Sequence, residues 1–111
     1  MFTPQSDSGY QQLLPGIQQK TLTFGDRTLM AEFKLARGSL LPEHAHPYEQ
    51  IGYLVSGQLR LRIGSEEFEA RAGDSWCIPA DVEHSARVLE DVVAIEVFSP
   101  VRQDYLPAHA R

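Results

Sequence analysis

The sequence predicts an all-β protein built as one antiparallel barrel. Two observations carry that expectation. From Lys20 onward the chain falls into short segments separated by turn signals at Gly25-Asp26, Gly38-Ser39, Ser56-Gly57, Gly64-Ser65, Gly73-Asp74 and Pro79-Ala80-Asp81, a spacing that suits sandwiches and barrels. Within those segments apolar residues alternate. Leu29, Ala31, Phe33 and Leu35 share one parity; Leu59, Leu61 and Ile63 alternate with Gln58, Arg60 and Arg62; Val93, Ile95 and Val97 alternate with Ala94, Glu96 and Phe98. Successive side chains of a strand leave opposite faces, so this pattern keeps one face dry. No stretch holds a helical period for three turns.

Residues 1–18 are rich in Gln, Ser and Pro, with Pro4, Gly9, Pro15 and Gly16 as breakers, and read as an N-terminal arm. Residues 19–111 are expected to form the barrel domain, because 111 residues leave no room for a second one. With 42% hydrophobic and 23% charged residues the chain has a globular composition. A mean hydropathy of −0.28 and the lack of an apolar run near ~18 residues speak against a membrane span. A single cysteine, Cys77, cannot build a disulfide framework and is expected to be a small core residue. The opening MFTPQSDSGY carries neither the basic nor the apolar block of a signal peptide, so a cytoplasmic setting is expected. The net charge of −5, with eight Arg and two Lys in no cluster, argues against nucleic acid as a partner. Arg60 and Arg62 are expected in solvent; on a cavity face they would bind anions.

Chemistry concentrates in the histidines. His44 and His46 are two residues apart, so on an extended strand both imidazoles leave one face and can converge on one ion. Gln50 shares their parity and Glu49 does not, although a bulge at Pro47 would exchange the two. Such a pair can also be a solvated or hydrogen-bonded feature of an ordinary strand. His84 lies in a second segment, and His109, in the tail, is expected in solvent.

The surroundings sharpen this reading. Gly38 precedes His44 by five intervening residues, and Gly57 follows Gln50 by six; Gly73, Pro79 and His84 are spaced by five and then four. Residues 38–57 and 73–88 resemble the two signature motifs of the cupin superfamily. That resemblance implies a jelly-roll barrel, or double-stranded β-helix, with a metal held between its sheets. Gln50 stands where the first motif usually has glutamate, Asp81 where the second has an inner glycine, and Val88 where it ends on asparagine. Three neutral imidazoles and a neutral amide leave the charge of a divalent cation uncompensated, which favours an anionic ligand in the open positions. Such donors accept Zn, Ni, Fe or Mn alike.

Around that centre, Glu96 interrupts an apolar run and shares the parity of Val92, Ala94 and Phe98. Either its face opens into the metal cavity, making it an acid/base group, or it is external and solvated; apolar neighbours on both parities suit a strand covered on both sides. Arg102, just after Ser99-Pro100, reads either as a salt-bridge partner of Asp104 or as a clamp for a substrate carboxylate. Tyr48, Tyr53 and Phe98 are candidates for a sugar-facing wall or for plain core, with Phe98 sharing the parity of Glu96.

From His44 to Leu106, HAHPYEQIGYLVSGQLRL continuing to AIEVFSPVRQDYL, the chain is similar to the single-domain cupins of the pectin-degradation, or KdgF, type. The resemblance implies ring opening of 4,5-unsaturated uronates from pectin or alginate to linear 5-keto sugar acids. It implies His44, His46, Gln50 and His84 as metal ligands, Glu96 and Arg102 as catalytic groups, and Phe98 and Arg102 in the pocket, with Tyr48 also expected against the substrate. Glu96 stands where that subgroup has aspartate, and the extra methylene alters its hydrogen-bond reach. A small anionic sugar acid is the expected partner, together with a second copy in a homodimer to whose sheet edge the arm can pair. A metal-dependent dioxygenase and a non-catalytic sugar or anion sensor are the alternatives.

Overall fold

The computed structural model describes residues 1–110, and the alternating segments become eight strands: β1 (Gln11–Leu14), β2 (Ile17–Phe24), β3 (Leu29–Leu35), β4 (Leu40–His44), β5 (Glu49–Ile63), β6 (Glu66–Arg71), β7 (Ser75–Ile78) and β8 (His84–Ser99). All pairings are antiparallel, in the order β1-β2-β3-β8-β5-β6, with β4 on β8 and β7 on β5. The two long strands make the barrel. Residues 92–98 of β8 pair with β3 while residues 84–87 pair with β4. Likewise, residues 50–53 of β5 pair with β7 and residues 58–63 with β6. Each long strand therefore belongs to both sheets of a jelly roll and must turn a corner.

The corner is at Gly57. The β5–β8 ladder shifts register between Leu54 and Leu59, and Gly57 has φ +93 with a Cβ there falling 2.1 Å from the Asp91 carbonyl oxygen. Only glycine admits both the left-handed backbone and that close approach.

Alternation buries what it promised. Leu29, Ala31, Phe33 and Leu35 on β3 face the core, as do Val92, Ala94, Glu96 and Phe98 on β8. Ile17 is fully buried with them. Thus part of the segment read as an arm enters the barrel, because Pro15-Gly16 acts as a hairpin turn (Gly16 φ +75) that lays β1 on β2. Ahead of it, the Lys20 ammonium donates to the Ser6 carbonyl at 2.5 Å and the Tyr10 hydroxyl donates to the Glu32 carboxylate. Arg60, Arg62 and His109 are exposed.

Cys77 departs from expectation: it is exposed, not core. Trp76 and Ile78 take the inward parity of β7, so Cys77 faces out opposite Ile51. After β8 the chain folds back through a 3-10 turn at Gln103–Tyr105 and another at Ala108–Ala110. The Tyr105 ring packs edge-on 5.5 Å from Phe98 and 6.1 Å from Phe33, and Thr21 Oγ1 donates to its carbonyl at 2.5 Å. This return brings Arg102 over one end of the barrel. No helix among the described residues is long and apolar enough to cross a membrane.

Candidate metal centre and active site

His44 ends β4, His84 begins β8, and the two are cross-strand partners. His46 lies in the connection to β5, where its carbonyl accepts from the Asp81 N–H at 2.8 Å. The ring centroids are 4.2 Å apart for His44 and His84, 4.8 Å for His46 and His84, and 5.8 Å for His44 and His46. One ring nitrogen from each lies within 4.8 Å of the others.

Backbone carbonyls orient all three rings. Nδ1 of His44 meets the Pro42 oxygen at 2.8 Å, Nδ1 of His46 the Tyr48 oxygen at 3.1 Å, and Nδ1 of His84 the Val82 oxygen at 2.9 Å. Each carbonyl accepts from an Nδ1–H, which assigns the lone pair of a neutral ring to Nε2, the tautomer a metal needs. Burial pushes the His84 pKa down to about 4 and lowers that of His46 as well, so both rings are neutral at pH 7. Nε2 of His84 is buried without a hydrogen-bond partner. Nε2 of His46 lies 3.0 Å from the Gln50 side-chain oxygen, one acceptor against another in this tautomer. A cation bound by both removes that repulsion and satisfies the orphaned nitrogen, so the donor set fits a divalent metal.

Gln50 is buried and Glu49 exposed. The strand does not run continuously from His44, since β4 ends there and β5 starts at Glu49, yet the break at Ala45–Tyr48 leaves Gln50 inward. Glu43 is also exposed, so neither acid replaces it.

Glu96 faces inward between Ala31 of β3 and Gly52 of β5 and is 7% exposed. Burial raises its pKa to about 7, opposed in part by the Gln50 amide and the Trp76 indole. Oε2 has no hydrogen-bond partner of good geometry. Gly52 makes the space: a Cβ there would lie 2.2 Å from the Trp76 ring and 2.5 Å from Oε2 of Glu96. Sequence reasoning does not single out Trp76; its signal is the parity it shares with Ile78, opposite Gly52 in register.

Arg102 makes the expected salt bridge with Asp104 and also lies on the cavity lining. Nε donates to Asp104 Oδ1 at 3.0 Å and Oδ2 at 3.2 Å, while the guanidinium lies 4.1 Å from the Tyr105 ring centroid, 5.0 Å from Phe98 and 5.4 Å from Tyr48. Asp104 engages Nε alone, and the aromatic rings hold the fork in place at 16% side-chain exposure. His44, His84, Gln50, Glu96, Phe98 and Arg102 line one cavity. Tyr105 lines it too, signalled only by its position one 3-10 turn after Arg102. Tyr48 packs behind His46 and Arg102 instead of on the cavity wall. Tyr53 is on the outer face and half exposed, so it belongs neither to the wall nor to the core.

A jelly roll whose β4 and β8 bring histidines together at one end has the architecture of a cupin. The chain belongs to that family: the Cupin domain model matches residues 31–99. Within it, the chain is similar to KdgF proteins. It is 29% identical over 102 residues to the pectin degradation protein KdgF of Dickeya dadantii (strain 3937), covering 90% of this chain and 93% of that one. The structure of KdgF from Halomonas sp. superposes with a TM-score of 0.89 at 31% identity, covering 96% of this chain and 98% of that one. An RmlC-like cupin from Shewanella frigidimarina NCIMB 400 gives 0.88 at 25% identity over 95% of each chain.

Proposed function

We propose that the protein is a metal-dependent enzyme that opens the ring of a 4,5-unsaturated uronate to the linear 5-keto sugar acid. The observation that carries this reading is one cavity lined by His44 and His84, with the Nε2 of His84 unpartnered, together with a buried carboxylic acid and an arginine. The similarity to KdgF supports the substrate class, because the curated relative is described as a pectin degradation protein.

The reaction is an isomerisation. The anomeric hydroxyl loses its proton as the bond from the anomeric carbon to the ring oxygen breaks, and the resulting enolate takes a proton at C4 to become the ketone. Arg102 offers a planar fork to the uronate carboxylate, and Phe98 offers an apolar surface to the sugar. Glu96, with its pKa raised to about 7, is present in both protonation states near neutrality and can exchange the proton. His44, His46, Gln50 and His84 would hold the metal, with Zn, Ni, Fe and Mn all compatible with these donors. When bound, the metal supplies Lewis acidity toward a substrate oxygen.

The test follows a fresh lyase product by NMR in the presence of metal-loaded protein. Ring signals should disappear faster than in buffer, and a rate equal to buffer rejects the reading, including in favour of a silent sensor. Glu96→Gln should slow turnover about 10²- to 10⁴-fold with metal content unchanged. We further propose that the chain works as a homodimer. Ile51, Tyr53 and Val55 stand in a row on the outer face of β5, each about half exposed, beside Val93, Ile95 and Val97 of β8. Water-facing apolar patches of this kind mark protein contacts, and this one suits a second copy of the same face.

A further inference from the structure

The cavity has two unlike halves. His44, His84, Gln50, Glu96 and Arg102 make one; Phe33, Leu35, Leu41, Leu59 and Leu61 wall the other, with Ala86 and Ala94 also on the lining. Both alanines face inward on β8. Ala86 is flanked in register by Leu41 and Leu61, and Ala94 by Phe33 and Leu54. Other inward residues of this strand are larger, as at Val88, Val92 and Phe98. The two small side chains set the cavity lining back in its apolar half.

No titratable side chain lies among these apolar lining residues, so a hydroxyl carried there would lose its water partners without replacement. A hydrocarbon would instead gain from leaving water. The lining also includes Leu13 and Leu41. They come from β1, which pairs only with β2, and from β4, which pairs only with β8. That part of the wall can give way without breaking a ladder between those two strands. At the other half, the Arg102 guanidinium on the lining supplies the positive charge that an anion needs. A mostly apolar lining with a few clustered polar groups at one end is the lining that a small amphiphilic molecule needs.

We propose that the apolar half is a subsite for the hydrocarbon body of a ligand, and that small aryl carboxylic acids enter the cavity with the ring among the leucines and the carboxylate toward Arg102. The subsite binds without turnover and stands independently of the uronate reaction.

The experiment titrates metal-loaded protein with acetate, phenylacetate and 3-phenylpropionate. The aryl acids should bind about 10- to 100-fold more tightly than acetate. Their ring protons should give nuclear Overhauser contacts to the methyls of Leu59 and Leu61. Ala86→Leu, which brings that lining forward, should weaken the aryl acids about tenfold or more while leaving acetate and metal content unchanged. Equal affinities across the series, or ring contacts only to outer-face residues such as Ile51 and Val97, overturn the proposal. If Ala86→Leu does not fold, the affinity series and the contacts in the native chain still decide. A protein that opens unsaturated uronates but does not distinguish aryl acids from acetate defeats this inference and leaves the enzyme reading intact. Aryl binding without turnover does the reverse.

Discussion

Glu96 and His84 line the same cavity and titrate in opposite senses. The folded carboxyl holds its proton up to about pH 7 against 4.5 for the free group, so its contribution to stability is complete below pH 4.5 and is lost as pH rises through 7. Folded His84 resists protonation down to about pH 4 against 6.5, so its contribution is complete above pH 6.5 and is lost as pH falls through 4. Chelator-treated protein should therefore be most stable where the two windows overlap and the opposing slopes cancel, near pH 5 to 6. The carboxyl alone accounts for a decline on the order of 3 kcal/mol toward pH 8. Urea melts across this range check the point: Glu96→Gln should remove the alkaline decline and leave the acid one. For His84, truncation to alanine takes away a ligand whose tautomer the Val82 carbonyl has already selected. Metal affinity should fall at least about tenfold, read by elemental analysis after dialysis.

The elements place these residues through the two long strands. β5 and β8 carry Gln50, His84, Glu96 and Phe98, and their turn at Gly57 lets one strand supply residues to both sheets. Gly57→Ala should cost about 3 kcal/mol or more, because it combines a left-handed backbone with a methyl pressed on the Asp91 carbonyl. An unchanged urea midpoint would show that the corner relaxes instead. Gly52 contributes in another way, since it leaves the backbone ordinary and gives its side-chain volume to Trp76 and Glu96. The hairpin at Pro15-Gly16 similarly converts what composition suggests is a loose arm into the strand that carries Leu13 to the cavity.

For the whole molecule, the inner faces of the sheets hold the site while residues 51–55 of β5 and 93–97 of β8 present an apolar outer patch. A dimer built on that face should sediment as twice the chain mass of 12.5 kDa, and Tyr53→Glu should shift it to the monomer without loss of metal. Native chain sedimenting as a monomer at high concentration would reject that assembly. The barrel itself is legible because strand periodicity and turn spacing are local properties: residues two apart share a face whatever lies across from them. Parity also points from His44 to His46 and Gln50, and motif spacing joins His84 to them, but residues 45–48 leave the strand and it is the path of that connection that keeps Gln50 inward. The orientation of Glu96 cannot be read that way, since both faces of β8 are apolar and only the strands on either side decide which one meets the cavity. Trp76, Gly52, Tyr105 and the outward-facing Cys77 belong to that second kind of information. Their roles arise from contacts between segments far apart in the chain, where packing, and not local pattern, selects the neighbour.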